Sequence, residues 1–294
     1  MVDHRLELPT RFEGLPELDP RGSLFFVGTA TVILRCGGFT ILTDPNFLHR
    51  GDHVHLGYGL TAERLTDPAI ELEDLPQLDF VLLSHLHEDH FDRLVQERLD
   101  RDLPIVTTPA SARALRRMGF RKPLALDTWD TLTVNRGAHS IRLTAMPGKH
   151  GPGLAAAILP PVMGTLVELD APRGVGRPFR IYITGDTIMH GALREIPRRY
   201  PGIDLMLIHL GGTRVLGILV TMDARQGVEM VRLIAPRQAI PIHYDDYDRF
   251  KSPLADFLRE VEAAGLAHAV HPLQRGESFE FELRPSAVEH RDRP

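Results

Sequence analysis

The run VLLSHLHEDH, Val81 to His90, is the tightest constraint on how this chain can fold. It passes from three consecutive apolar residues to three histidines and two acids within ten positions. Phe80 to Leu83 show no polar alternation, which fits a central strand covered on both faces. Imidazoles and carboxylates cannot stay unpaired in such a core, so the strand must end in a polar cavity.

The spacing His-x-His-x-Asp-His gives that cavity a chemistry. Alternate residues of an extended segment project to one side, so His85 and His87 can grip a single ion. A turn into a helix starting near Phe91 would carry Asp89 and His90 toward a second position. Nitrogen and carboxylate ligands suit zinc, manganese, iron or nickel, and the lack of sulfur argues against copper(I) or an iron-sulfur centre. The competing reading is a polar loop with surface histidines. Four residues cannot saturate two ions, so further ligands should sit at other strand ends. His150 closes SIRLTAMPGKH, Asp186 closes RIYITGD and His243 closes RQAIPIH. Each could instead be an ordinary strand cap, and Gly185 would let the chain turn sharply before Asp186.

The rest of the pattern supplies strands to carry these ends. SLFFVG, ATVILRC and FTILTDP come first, with Gly37-Gly38 marking a hairpin between the last two. Later strand candidates include PIVTT, TLTV, GTLVEL, LMLIH and SFEFEL. Helical runs lie between them: FDRLVQERL; TPASARALRRMG, with Thr108 as cap and Pro109 in the first turn; MDARQGVEMVRLIAP; and SPLADFLREVEAAG, with Ser252 as its predicted cap. Strands alternating with helices make an α/β protein, and the early hairpin makes part of the sheet antiparallel. No linker or short repeat divides the 294 residues, so a single domain of two similar halves is expected over 1–294.

Composition narrows the function by exclusion. A net charge of -5 without a basic stripe points to no nucleic-acid partner. One cysteine, Cys36, permits neither an internal disulfide nor a thiolate zinc cluster. The N-terminus shows no apolar signal region, and the longest apolar run, within GPGLAAAILPPVMG, is too short to span a bilayer. The expected location is the cytoplasm.

At this point the chain resembles the metallo-β-lactamase superfamily. The likeness rests on TDP at Thr43–Pro45, SHLHEDH at Ser84–His90, GKH ending at His150, TGDT at Thr184–Thr187 and PIHYDDY at Pro241–Tyr247. It implies an αββα sandwich of two mixed β-sheets with helices on the outer faces. It also implies that His85, His87 and His150 form one metal site, that Asp89, His90 and His243 form a second, and that Asp186 bridges them. Asp44 becomes an acid behind the ligands. Within the superfamily the arrangement looks most like the ascorbate-6-phosphate lactonase and N-acyl-phosphatidylethanolamine phospholipase D branch. That phospholipase pattern has tryptophan and glycine after the last histidine, where this chain has Tyr244-Asp245-Asp246.

The resemblance implies a hydrolase with two divalent ions, zinc first, with Mn2+ or Fe2+ as alternatives. A metal-held hydroxide would attack an ester, lactone or phosphodiester of a small or lipid-like substrate. Asp89, His190 and Tyr244 are the candidate catalytic residues: His190 as a proton donor, Tyr244 as an oxyanion donor, and Asp245 or Asp246 as a proton shuttle. His209 reads as a core histidine, and GDHVHLGYG as a loop near the pocket without a metal. Lys149 and Arg214 are candidate anion contacts, and the apolar run after His150 is either a pocket wall or a packed strand. The alternatives are an iron oxidoreductase of the persulfide dioxygenase type and a non-catalytic binding scaffold. The pattern leaves a homo-oligomer open.

Overall fold

A computed structural model of the protein describes residues 1–10, 20–56, 61–153, 159–170 and 176–283. Eleven apolar residues alternate faces along the central strands, and that alternation builds layers. Val32, Leu34, Phe80, Leu82, Leu205 and Leu207 point into one buried cluster. Their neighbours Ile33, Val81 and Leu83 point into a second, and Met206 and Ile208 into a third. A strand with both faces buried needs partners on both sides.

The partners are two seven-stranded sheets packed face to face. One runs, neighbour by neighbour, β1 (Asp3–Glu7), β10 (Thr131–Arg136), β11 (His139–Pro147), β12 (Met163–Leu169), β13 (Phe179–Ile183), β14 (Leu205–His209) and β17 (Gln238–Ile242). The other runs β18 (Ser278–Glu282), β2 (Arg21–Gly28), β3 (Thr31–Cys36), β4 (Phe39–Thr43), β7 (Phe80–Leu82), β8 (Ile105–Thr107) and β9 (Pro123–Ala125). Two small ribbons stand apart: β5 (His53–His55) with β6 (Thr61–Glu63), and β15 (Arg214–Val215) with β16 (Ile218–Leu219). Helices α1 (Arg93–Arg98) and α2 (Pro109–Arg117) cover the second sheet through Val95 and Leu115. Helices α3 (Glu195–Arg199), α4 (Ala224–Ile234) and α5 (Leu254–Ala263) cover the first through Ile196, Val231 and Phe257. The arrangement is the expected αββα sandwich, and both sheets mix parallel and antiparallel pairs.

Strand polarity decides where the strand ends go. β11 and β13 are both antiparallel to β12, and β13, β14 and β17 are mutually parallel, so four strands end at one edge of the sheet. β4 and β7 run parallel in the other sheet. The β3–β4 hairpin turns at Gly37 and Gly38, with φ of 58° and 83°, the double positive φ of a type I′ turn. GPGLAAAILPPVMG and GDHVHLGYG lie partly outside the described residues, and so does the connection containing VGRP. Among the described residues no helix is long and apolar enough to cross a membrane.

Two helix starts depart from the sequence pattern. Pro253, not Ser252, occupies the cap of α5, without a side-chain bond. Ser252 pairs with Gly211 in an isolated bridge, which turns its hydroxyl toward α4 to accept the Ala224 N–H at 2.9 Å. α1 starts at Arg93, two residues later than expected, because Asp92 is its cap. Asp92 accepts the Val95 N–H at 2.9 Å through one oxygen, and the Leu48 N–H at 3.1 Å and the Phe47 N–H through the other. One buried carboxylate thus ties the loop after β4 to the helix that follows the histidine run.

Asp92→Ala is therefore expected to lower the unfolding free energy by roughly 3 kcal/mol. A lost N-cap accounts for about 1 kcal/mol, and two stranded buried N–H groups account for about 1 kcal/mol or more each. Urea denaturation should show this loss, and Asp92→Asn, which keeps a carbonyl acceptor, should lose less.

Candidate metal centre

Six strand ends meet at the shared edge of the two sheets. β4 delivers Asp44, β7 leads into His85–His90, β11 into His150, β13 into Asp186 and β17 into His243, while β14 ends on His209. Ligand-type atoms of His85, His87 and His150 lie within 4.8 Å of one another. The same holds for Asp89, His90, Asp186 and His243, and again for Asp44, His90 and His209. All seven expected ligand residues are brought together, and Asp44 sits behind them. His209 is the buried, hydrogen-bonded core histidine expected, with Nδ1 3.2 Å from Thr184 Oγ1, and its Nε2 also lies 3.4 Å from Asp44 behind the ligands.

Local backbone choices aim these side chains. Gly185 has φ +63°, and a Cβ there would sit 2.7 Å from the Met163 carbonyl, so only glycine turns the chain this closely before Asp186. His243 adopts φ +60° and donates its N–H to the Thr29 carbonyl at 2.6 Å. Left-handed backbone at a non-glycine residue is costly and tends to occur where the surroundings enforce it. His150 Nδ1 lies 2.9 Å from the Val220 carbonyl, and His243 Nδ1 lies 3.2 Å from the Leu210 carbonyl. Donating there fixes each ring's tautomer and leaves Nε2 with a free lone pair.

The electrostatics are those of a site short of positive charge. Asp44, Asp89 and Asp186 are 1%, 4% and 2% exposed, and all three face His90. Asp186 lies 3.3 Å from His90 Nε2, and Asp44 lies 3.4 Å from its Nδ1. Burial works against the charge on His90, yet Asp186, Asp89 and Asp44 together raise its pKa well above the ordinary histidine value. Burial likewise opposes ionisation of Asp89, but His90 and His243 bring it down to about 2. In the other cluster, burial and then His150 lower His87 to about 4, so its ring is neutral at physiological pH. Neutral imidazoles and ionised carboxylates are the forms that bind metals.

A direct test of fit comes from unsatisfied atoms. Asp89 Oδ1, Asp186 Oδ1, His90 Nε2 and His209 Nε2 are buried without a hydrogen-bond partner. Buried orphan groups of this kind are rare, and an ion is one of the few things that resolves them. Two ring nitrogens, His85 Nε2 and His87 Nδ1, also face each other at 2.9 Å. The donor set of nitrogens and carboxylate oxygens fits divalent cations.

Tyr244 and Asp246 are placed differently from what their sequence position suggests. Tyr244 does not serve the pocket: its hydroxyl donates to the Leu273 carbonyl at 2.9 Å, and its ring packs on Phe26 between the sheets. Asp246 is buried and accepts from the Thr29 N–H, the Thr66 hydroxyl and Arg275, so it is a structural acid and not a proton shuttle. Asp245 accepts the Leu254 N–H at 3.4 Å. His190 is half-buried at the start of a short turn and is not among the residues lining the metal pocket. Cys36 is buried, and burial pushes its thiol up to about 12, which rules it out as a nucleophile. His53 and His55 are exposed on β5, and Leu56 just beyond reaches the pocket, as a loop beside the site would.

Asn46 and Thr213 escaped the sequence reading. Asn46 Nδ2 donates to the Glu88 carbonyl at 2.9 Å, bracing the histidine run from behind. Its position after TDP was the only available signal. Thr213 lines the pocket, and nothing in the local sequence sets it apart from other loop threonines.

Residues 40–244 match the family model described as the Beta-lactamase superfamily domain. A UPF0173 metal-dependent hydrolase of Archaeoglobus fulgidus is 28% identical over 210 residues, 69% of this chain and 82% of the relative. Another from Rubrobacter xylanophilus is 25% identical over 259 residues, 86% of this chain and 94% of the relative. Among solved structures, the isothiocyanate hydrolase from Delia radicum gut bacteria aligns with a TM-score of 0.75 at 19% identity, over 88% of this chain and 99% of that one. That last likeness is one of fold.

Asp44 also accepts the Ser84 N–H at 2.7 Å, so it orients both the histidine run and His90. Asp44→Ala is expected to weaken divalent-cation binding by roughly 10–100-fold, the usual effect of removing a residue that supports a ligand histidine. Competition with a chromophoric chelator should read this out, and far-UV circular dichroism should be unchanged.

Proposed function

The chain belongs to the beta-lactamase superfamily, and on that footing we propose that it is a metal-dependent hydrolase holding two divalent cations, zinc first, at the converged strand ends. The observation that carries this reading is the set of buried, unpartnered donor atoms on Asp89, His90 and Asp186, at the centre of a ligand set contributed by four strand ends. His85, His87 and His150 would hold one ion. Asp89, His90 and His243 would hold the other, with Asp186 between them. Bound cations supply Lewis acidity and bring a coordinated water toward ionisation near neutral pH.

The chain's own residues do the rest. His150 and His243 are locked by their backbone acceptors, so they present lone pairs without reorganising. Asp89 is ionised and lies 3.4 Å from His243 Nε2, placed to accept a proton from the attacking water. The metal-dependent hydrolases among the relatives support hydrolysis as the reaction class. The resemblance to the lactonase and phospholipase branch supports an ester, lactone or phosphodiester bond as its target.

Protein purified without added metal should contain about two divalent ions per chain by elemental analysis. Its turnover of an ester, lactone or phosphodiester panel should vanish on chelation and return with metal. Asp89→Ala should lower kcat/KM at least roughly 10²-fold while the fold persists. A fully metallated protein that turns over nothing in that panel would exclude the reading.

A further inference from the structure

Thr213 stands where the chain enters the β15–β16 ribbon. It is only 7% exposed, and its Oγ1 is buried without a hydrogen-bond partner. Its backbone is fully used: its N–H donates to Thr221 Oγ1 at 2.8 Å, and its carbonyl accepts the Val220 N–H at 2.9 Å. Only the hydroxyl is left over, in the wall of the pocket that also contains His87, Asp89, His150 and Asp186. A buried hydroxyl without a partner is destabilising, and a bound acceptor would offset that.

Apart from Thr221, whose hydroxyl oxygen accepts the Thr213 N–H, the remaining wall is apolar. Leu56, Leu159, Val215 and Val220 line it, and no lysine or arginine does so among the described residues. Arg214, the nearest cation in sequence, is turned away: it donates to the Gly217 carbonyl at 3.1 Å and lies 3.7 Å from Asp223. The ribbon carries the apolar character outward, with Leu216 at its tip 94% exposed and Ile218 43% exposed. Exposed apolar residues beside a polar cleft mark a binding surface.

We propose that Thr213 donates to an acceptor oxygen of the substrate and that Leu56, Leu159, Val215 and Val220 take its aliphatic part. The substrate class is then an uncharged carboxylic ester or lactone and not a phosphodiester. This rests on the hydrolase reading above. A phosphodiester's permanent negative charge could be met by the bound cations alone, because no lysine or arginine lines the rest of the pocket among the described residues, and its second substituent would have to fit the same aliphatic walls. A neutral aliphatic ester fits those walls, and its carbonyl acceptor matches the unpartnered Thr213 hydroxyl. The reaction balances simply: a water oxygen bonds to the acyl carbon, and the bond from that carbon to the alkoxy oxygen breaks. One water proton goes to the leaving alkoxide, and the second is released as the carboxylic acid ionises.

The test uses the metal-loaded full chain on p-nitrophenyl acetate, butyrate and octanoate, an aliphatic lactone and bis(p-nitrophenyl) phosphate. The wild type should favour the neutral substrates, and longer acyl chains over acetate, in kcat/KM. Thr213→Val should lose about tenfold on the esters, mainly in KM, with metal content unchanged. Thr213→Ser, which keeps the hydroxyl, should retain most of the activity. Val215→Arg, on a half-buried strand position, should lower ester turnover and raise that of the diester. Preference of the wild type for the phosphodiester, or a Thr213→Val protein with wild-type ester kinetics, would overturn the proposal and leave the hydrolase reading standing. No turnover of any substrate by metallated protein would remove both.

Discussion

Three carboxylates crowded around one buried imidazole is the constraint on which the structure turns. Asp44, Asp89 and Asp186 cannot all ionise in a dry cavity unless positive charge joins them. His90 supplies one such charge when protonated, and its raised pKa measures how strongly the cavity demands it. Divalent cations meet the same demand better, because they also satisfy the oxygens and nitrogens that have no hydrogen-bond partner. The fold can tolerate such a cluster because it lies at a sheet edge. A strand end can turn polar there without interrupting the apolar layer beneath it.

A second network holds the cluster from behind. Arg64 is fully buried, donates to Thr29 and Asn46, and lies 3.8 Å from Asp246. Asn46 braces Glu88, Thr29 accepts from His243, and Tyr247 donates to Asn46 at 3.1 Å. The loop that carries Asp89 and His90 and the loop that carries His243 thus hang on one polar knot. Such a knot explains how Asp44 and His243 keep positive φ values, which an unsupported loop would relax.

The legible parts of this site were local ones. His85, His87, Asp89 and His90 lie on one short stretch, so their spacing alone predicts a shared cavity. His150, Asp186 and His243 were legible because each follows an apolar run, and a run of that kind reads as a strand whose end must go somewhere. Tyr244 and Ser252 misled because their roles depend on partners far away in the chain: Leu273 for one, Ala224 for the other. Arg64 was silent and Asp246 misleading for the same reason, since an arginine and an aspartate 182 positions apart give no local sign that they will be buried together.

The contrast between ligands and walls follows from how each is made. Ligands come from strand ends whose direction is fixed by the pairing of β11 through β17, so they tolerate little change. The walls come from connections, chiefly the β5–β6 and β15–β16 ribbons, which stand outside the two main sheets. A protein at 19% identity can therefore share the sandwich closely while its pocket lining differs. On the reading proposed for this chain, the lining is what distinguishes one substrate from another: the Thr213 hydroxyl beside Leu56, Leu159, Val215 and Val220 would recognise one acceptor and an aliphatic shape.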